Sequence, residues 1–240
     1  QILGDTSCIA YYKMSDATDE SGSYNLTASN VNFNVAGKFG NAGEFNGSSS
    51  ELLAANSLLP SSGGFAISWW QKTTQADNAY SYTIDTAGGS SGNGIYIITH
   101  TVSNGMIIGF KNSSVFGSSS IPYTSAERTQ WTHFCFSWDG TTSANAFKIY
   151  KNNVATSFTS SVTNGGSAFP FRIGVSAGGA PYFGGLIDQF RIFNKALSSS
   201  EITTLYDEVY CVPTIVGTDN FNTVLWSNGV GAHQTPITGV

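Results

Sequence analysis

The sequence predicts an all-β protein, a two-sheet antiparallel jelly-roll sandwich with one short helix near residues 198–206. Three observations predict it. Short apolar runs recur between clusters of Gly, Ser and Asn; bulky strand formers abound, with 16 Phe, 11 Tyr and 5 Trp against 27 Gly; and only one segment carries helical spacing. Even punctuation by turn residues is the pattern of a sandwich and not of alternating strand–helix units. A length of 240 residues fits one large domain over 1–210 and a tail over 211–240, since single all-β domains run to roughly 200–250 residues.

The predicted strands follow in order as residues 8–14, 43–45, 65–71, 81–86, 94–99, 105–110, 131–138, 147–151, 169–173 and 185–193. Side chains alternate across a strand, so the adjacent Trp69 and Trp70 must point to opposite faces, one into the core and one onto an outer or concave face. The same alternation makes Cys135 a buried, inert thiol and His133 a structural histidine. Trp138-Asp139-Gly140 ends a strand on a turn dipeptide, and Lys151-Asn152-Asn153-Val154 is a tight reversal, which puts residues 147–151 in a meander. Ser198 followed by Glu201, Ile202 and Leu205 is an N-cap with apolar residues at helical spacing. Beyond Pro213 the chain is rich in Thr, Gly and Asn, which marks 211–240 as a linker and the start of a following or partner-pairing segment.

Composition excludes several function classes. Only 10% of residues are charged and the formal net charge is -5, so no basic surface attracts phosphate backbones and nucleic-acid binding is excluded. No apolar run reaches the ~18 residues needed to span a bilayer. Residues 1–20 hold Asp5, Lys13, Asp16 and Asp19 rather than the apolar centre of a secretory leader, and Gln1 in place of Met implies processing or further residues upstream. Cys8 and Cys211 lie near the two ends of the main domain. They pair if the first and last strands are neighbours; otherwise both are reduced thiols.

Glycoside hydrolases built on sandwiches hold two carboxylates across the scissile bond. No Glu-x-Asp-x-x-Glu strand occurs here, and Glu20, Glu44, Glu51, Glu127, Glu201 and Glu208 are scattered through turns and the helical segment. No serine nucleophile with a positioned His partner is apparent either. The expectation is a protein that binds without turnover. Sugar binding needs an aromatic platform, because sugar C–H faces stack on rings while hydroxyls seek fixed polar partners. The candidates are Tyr80 and Tyr82 after Asp77-Asn78, Phe116 among serines, Tyr123 after Pro122, and Tyr182 with Phe183 after Pro181.

Four blocks occur in a telling order: Asp19-Glu20-Ser21-Gly22; the run from Gly37-Lys38-Phe39-Gly40 to Phe45-Asn46-Gly47; Trp131-Thr132-His133-Phe134 with Trp138-Asp139-Gly140; and Gly185-Leu186-Ile187-Asp188-Gln189-Phe190-Arg191-Ile192-Phe193 leading to Ser198 and Glu201. Over residues 8–208 this resembles laminin G-like, concanavalin A-like jelly rolls, with Gln189 where the usual pattern has Glu. Gly37, Gly40 and Gly43 are expected at positive-φ turns that admit Phe39 and Phe45 to the core. The resemblance implies a structural calcium ion held by loop carboxylates and carbonyls, with Asp19 and Asp188 at the matching positions and Asp16 assisting. Without the metal, Asp19 forms an Asx-turn and Asp188 accepts from backbone amides.

The tail, from Cys211-Val212-Pro213 through Asn222-Thr223-Val224-Leu225-Trp226 to Ile237-Thr238-Gly239-Val240, resembles the junction after a laminin G-like domain in virion proteins of marine bacteriophages. This implies a non-catalytic virion-surface protein, a tail fibre or capsid decoration. Such a protein would contact host glycans or neighbouring virion subunits, assemble as a homo-oligomer of trimer type, and continue past Val240. The alternatives are an extracellular carbohydrate-binding module of a secreted bacterial enzyme or adhesin, and a purely structural filament subunit.

Overall fold

The computed structural model describes residues 2–73, 80–89, 91–100, 105–113, 115–209, 212–214 and 225–227. The chain begins with β1 (Cys8–Tyr12), β2 (Thr27–Ser29), β3 (Asn32–Ala36), β4 (Asn41–Asn46) and β5 (Glu51–Leu53). It continues through β6 (Phe65–Thr73), β7 (Tyr80–Asp85), β8 (Gly94–His100), β9 (Gly105–Asn112) and β10 (Val115–Pro122) to the single turn α1 (Ser125–Arg128). Next come β11 (Thr132–Trp138), β12 (Phe147–Lys151), β13 (Val154–Phe158), β14 (Arg172–Ile173), β15 (Val175–Ser176), β16 (Gly179–Tyr182), β17 (Gly184–Phe193) and α2 (Ser199–Tyr206). Two antiparallel sheets result. One runs β13-β12-β11-β6-β17-β4-β3 with β1 beside β17; the other runs β10-β9-β8-β7-β14-β5-β2 with β16 beside β7.

The fold is the all-β sandwich that the spacing of apolar runs predicts. The core fills the space between the inner faces, because strand alternation delivers Phe65, Ile67 and Trp69 from β6 and Phe134 and Phe136 from β11 against Ile95 and Ile97 from β8 and Ile108 and Phe110 from β9. Trp69 stacks on Phe134 with centroids 5.5 Å apart, and Phe110 meets Phe147 edge-on at 4.9 Å. The Asn152-Asn153 reversal forms as the sequence requires, with φ of 47° and 65°, the left-handed pair of a type I′ hairpin.

Simple alternation fails in β17. Asp188 pairs with Trp70 and Arg191 with Ser68, so two residues of β17 oppose one of β6. The extra residue is Gln189 at φ 49°, a β-bulge. It turns Phe190 and Ile192 into the core with Ile187, and leaves Asp188 away from them on the outer face with Arg191.

The glycine turn before β4 also differs from expectation. Of Gly37, Gly40 and Gly43 only Gly40 has positive φ, at 67°. Gly37 is required for space, since a Cβ there would stand 2.6 Å from Asp188 Oδ2 and 2.8 Å from the Asn41 backbone. Phe45 reaches the core, but Phe39 stays outside and meets Trp70 edge-on at 6.1 Å.

Helix α2 starts at a capping box, with Ser198 N–H donating to Glu201 Oε2 at 2.8 Å and Glu201 N–H donating to Ser198 Oγ at 3.3 Å. Its Ile202 and Leu205 cover Ala66, Cys135 and Phe193, a second small core on the outside of the first sheet. The same chemistry builds α1, a second helical segment beyond the one expected from the sequence, through a Thr124–Glu127 capping box. Contacts divide the chain into a unit Gln1–Tyr206 and a unit Asp207–Val240. Within the latter, β18 (Val212–Thr214) pairs with β19 (Leu225–Ser227), Val212 opposite Ser227.

Candidate functional site

The outside of the first sheet is covered where α2 and the segment before β4 cross it. Trp70, 4% exposed, lies between the Tyr206 ring, stacked at 5.7 Å, and the Lys38 ammonium, 4.5 Å from its centroid. Beside it His133 is buried with Nε2 2.8 Å from Ser68 Oγ. Burial, assisted by the Arg191 charge, pushes the imidazole down to about 3, so it is neutral and structural.

The outside of the second sheet is different. β7 and β8 send Ile84, Ile95 and Ile97 inward, so Tyr82, Tyr96 and Ile98 face outward and form a cluster of their own with Ile107 from β9. Tyr80, two residues before Tyr82 on the same strand, is 50% exposed. Tyr82 and Tyr96 meet edge-on at 5.9 Å. Tyr182 on β16 is in parallel register with Tyr82 and points away from Phe183, which is in the core. Gly109 makes this arrangement possible, because a Cβ there would lie 2.0 Å from the Tyr96 ring. Exposed Ser118 and Ser120 on β10, in register with Gly109 and Ile107, add hydroxyls at one margin. Lys111 adds an ammonium that donates to Ser91 O at 3.2 Å.

Burial raises the Tyr96 phenol to about 12, with the Tyr82 and Asp85 charges adding to the effect, and raises Tyr82 in the same way. Both phenols are therefore neutral across the physiological range and able to donate as well as accept. Tyrosine rings with neutral hydroxyls beside serine hydroxyls suit a ligand with C–H faces and many hydroxyl groups.

Of the sequence candidates, the fold brings Tyr80, Tyr82 and Tyr182 onto this face. It removes Tyr123, which is 0% exposed and packs edge-on against Phe134 at 5.0 Å in the core. A ring at that depth meets no ligand, and the reason is that β10 ends by turning inward after Pro122. Phe116 on β10 is in register with Lys111 on β9, and its side chain lies outside the described atoms. Tyr96 and Gly109 were missed. The signal for Tyr96 was its alternation with Ile95 and Ile97, which assigns Tyr96 and Ile98 to the opposite face of β8.

The carboxylates matched to calcium have another chemistry. Asp19, 1% exposed, accepts at Oδ1 from Tyr11 N (2.8 Å) and Ser21 N (3.0 Å), and at Oδ2 from Ser23 N (3.2 Å), Tyr24 N (3.0 Å) and Ser21 Oγ. Asp188 accepts from Phe39 N at 2.8 Å and from Gln189 N at 2.7 Å, and exposed Asp16 accepts from Thr18 N at 2.7 Å. These are N–H and O–H donors where a hard cation needs oxygen acceptors, so the residues do not fit the metal. No group of three or more His, Cys, Asp and Glu able to hold an ion occurs among the described residues. Cys8 is half-buried, its thiol raised to about 11 chiefly by burial; Cys211, its suggested disulfide partner, lies outside the described residues.

Two antiparallel sheets, one partly covered by a helix and one carrying tyrosines on its outer face, define a jelly-roll module of lectin-like architecture. The chain belongs to the concanavalin A-like lectin/glucanases superfamily, whose laminin G profile matches residues 45–203. It is similar to domain 4 of AbnA, a GH43 extracellular arabinanase from Geobacillus stearothermophilus solved with arabinotriose, at 25% identity and TM-score 0.63 over 83% of this chain and 98% of that domain. The botulinum neurotoxin serotype G binding domain has the same fold at 20% identity and TM-score 0.67, over 83% of this chain and 50% of the domain. The binding domain of botulinum neurotoxin DC, solved with SialylT, matches at 16% and TM-score 0.66, over 86% of this chain and 52% of its own. The chain thus spans about half of the toxin domains. No curated protein sequence matches it.

Proposed function

We propose that this chain is a non-catalytic glycan-binding sandwich of a virion-surface protein, a tail fibre or capsid decoration, that assembles as a homotrimer and holds saccharide on the outer face of its second sheet. The observation that carries the binding reading is the outward-facing pair Tyr80 and Tyr82, backed by Tyr96, which is itself only 8% exposed, with Tyr182 in register beside Tyr82. The likeness to an arabinanase domain solved with arabinotriose supports it, as do the glutamates. Glu20 pairs with Lys13, Glu51 with Arg172, Glu127 with Lys151 and Glu201 with Lys195, while Glu44 accepts from Asn32. Glu20, Glu44, Glu51 and Glu127 are each tied to a partner of their own; Glu201 shares the Lys195 ammonium with Asp5, and both of those carboxyls are held below their ordinary range, whereas hydrolysis demands one raised as an acid. The virion role rests on the resemblance of residues 211–240.

The arabinanase likeness also favours a second reading, a carbohydrate-binding module of a secreted bacterial enzyme. Immunogold labelling of phage particles from the host separates the two: decorated particles support the virion role, and antigen confined to the secreted fraction supports the module. For the binding face, a glycan array followed by titration of its best ligand is the test. Tyr82→Ala and Tyr96→Ala are each expected to weaken binding about threefold to tenfold, from ~0.5–1.5 kcal/mol per ring contact. Unchanged affinity in both variants removes the face, and reducing ends released from a polysaccharide panel would replace binding with hydrolysis.

A further inference from the structure

The geometry points to Asp85 as the positioning residue of the tyrosine face, the buried carboxylate that holds Tyr82 and Tyr182 in place relative to each other. The inference rests on the glycan-binding reading above for its consequence, and on hydrogen bonds alone for its mechanism.

Asp85 is the last residue of β7, three positions after Tyr82, and is fully buried. Four donors converge on it from two separate segments. Ala87 N donates to Oδ1 at 2.8 Å and Gly89 N to Oδ2 at 2.9 Å, both from the turn that follows β7. Ser176 Oγ at 3.0 Å, from the end of β15, and Ala177 N at 2.8 Å, from the turn between β15 and β16, donate to Oδ2. That second turn leads into the strand bearing Tyr182, which is in parallel register with Tyr82.

A buried carboxylate ordinarily demands a cation. Arg172 is opposite Asp85 in register, yet its guanidinium goes to Glu51 at 2.7 Å. Among the described residues Asp85 accepts from four neutral donors, three of them at Oδ2, a load that a single hydroxyl or amide oxygen cannot carry. The same bonds reach the ring surface itself. Gly89, at φ 68°, abuts the Tyr82 phenol so closely that a Cβ would stand 3.0 Å from its oxygen. Asp85 therefore fixes the loop that flanks Tyr82 and the hairpin that carries Tyr182, without itself facing the ligand.

The test is ¹⁹F NMR of the full chain labelled with 3-fluorotyrosine, with Tyr82→Phe and Tyr182→Phe for assignment and arabinotriose as the titrant. Asp85→Asn is expected to shift or broaden the Tyr82 and Tyr182 resonances, leave Tyr24 and Tyr150 unmoved, and weaken binding of the probe at least tenfold. Ser176→Ala, which deletes a single donor, is expected to move Tyr182 with little change in melting temperature, and it decides the matter if Asp85→Asn does not fold. Resonances of Tyr82 and Tyr182 unmoved in either folded variant overturn the inference. Wild-type chain that ignores the probe while Asp85→Asn still moves both rings upholds the positioning role and counts against the glycan reading alone.

Discussion

Asp19→Asn probes a buried carboxylate that accepts five hydrogen bonds and separates a hydrogen-bonding role from a metal-binding one. The wild-type carboxylate accepts from two backbone N–H groups at Oδ1, and from two more and the Ser21 hydroxyl at Oδ2. Asparagine keeps one oxygen but turns an NH₂ group toward the three donors of the other. Hydrogen bonds to a charged group contribute about 1.5–3 kcal/mol each, so losing the two backbone bonds at Oδ2 costs roughly 3 kcal/mol even at the low end. For a unit of this size that is a fall of ~6–12 °C in melting temperature.

The pH dependence has a definite sign. Burial raises the Asp19 carboxyl, but hydrogen bonds from Ser21, Tyr11 and Tyr24 outweigh it and hold the group below its ordinary 3.8. A depressed folded-state value means stability that is present above about pH 4 and lost as pH falls through the folded value. Thermal and urea unfolding of both proteins from pH 7 to pH 3 should show a wide gap at neutrality that narrows below about pH 4. A gap under ~1 kcal/mol at pH 7 would refute the accounting. So would a chelator that lowers the wild-type melting temperature as much as the substitution does, because a ligand held only by the native state must stabilise it.

With the Asp19 and Asp188 oxygens supplied by N–H donors, EDTA is expected to leave the melting temperature of the wild-type chain unchanged in differential scanning calorimetry. Gly37→Ala drives a methyl group against Asp188 Oδ2 and the Asn41 backbone and should cost about 2–4 kcal/mol in urea unfolding, whereas Gly43→Ala, with only ordinary 3.5 Å contacts, should cost far less. His133 titrates at about 3 when folded against an ordinary 6.5, so it removes stability as pH falls between those values, by up to ~1.4 kcal/mol per pH unit. Asp188, raised by burial to about 6, acts in the opposite sense, its contribution present below about pH 4 and lost as pH rises through 6. Comparison of wild type with His133→Gln isolates the histidine, and a variant as acid-sensitive as the parent between pH 6.5 and 4 would contradict its burial as a neutral ring.

Strand spacing, the Asn152-Asn153 reversal, the opposite faces of Trp69 and Trp70, and the capped helix beginning after Ser198 were determined by the sequence itself, because alternation, left-handed turn preference and capping act within a few residues. The bulge at Gln189 was decided elsewhere: only the register against β6 shows that two residues must face one, and without it Asp188 and Phe190 read as neighbours on one face. The site divides the same way. That tyrosines beside turns would serve binding is visible in the sequence, but Tyr123 entered the core while Tyr96 joined Tyr82 outside. Which rings share a surface depends on strand pairing between segments distant in the chain, and on Gly109 leaving room for Tyr96, so it was settled by packing between strands and not by any local pattern.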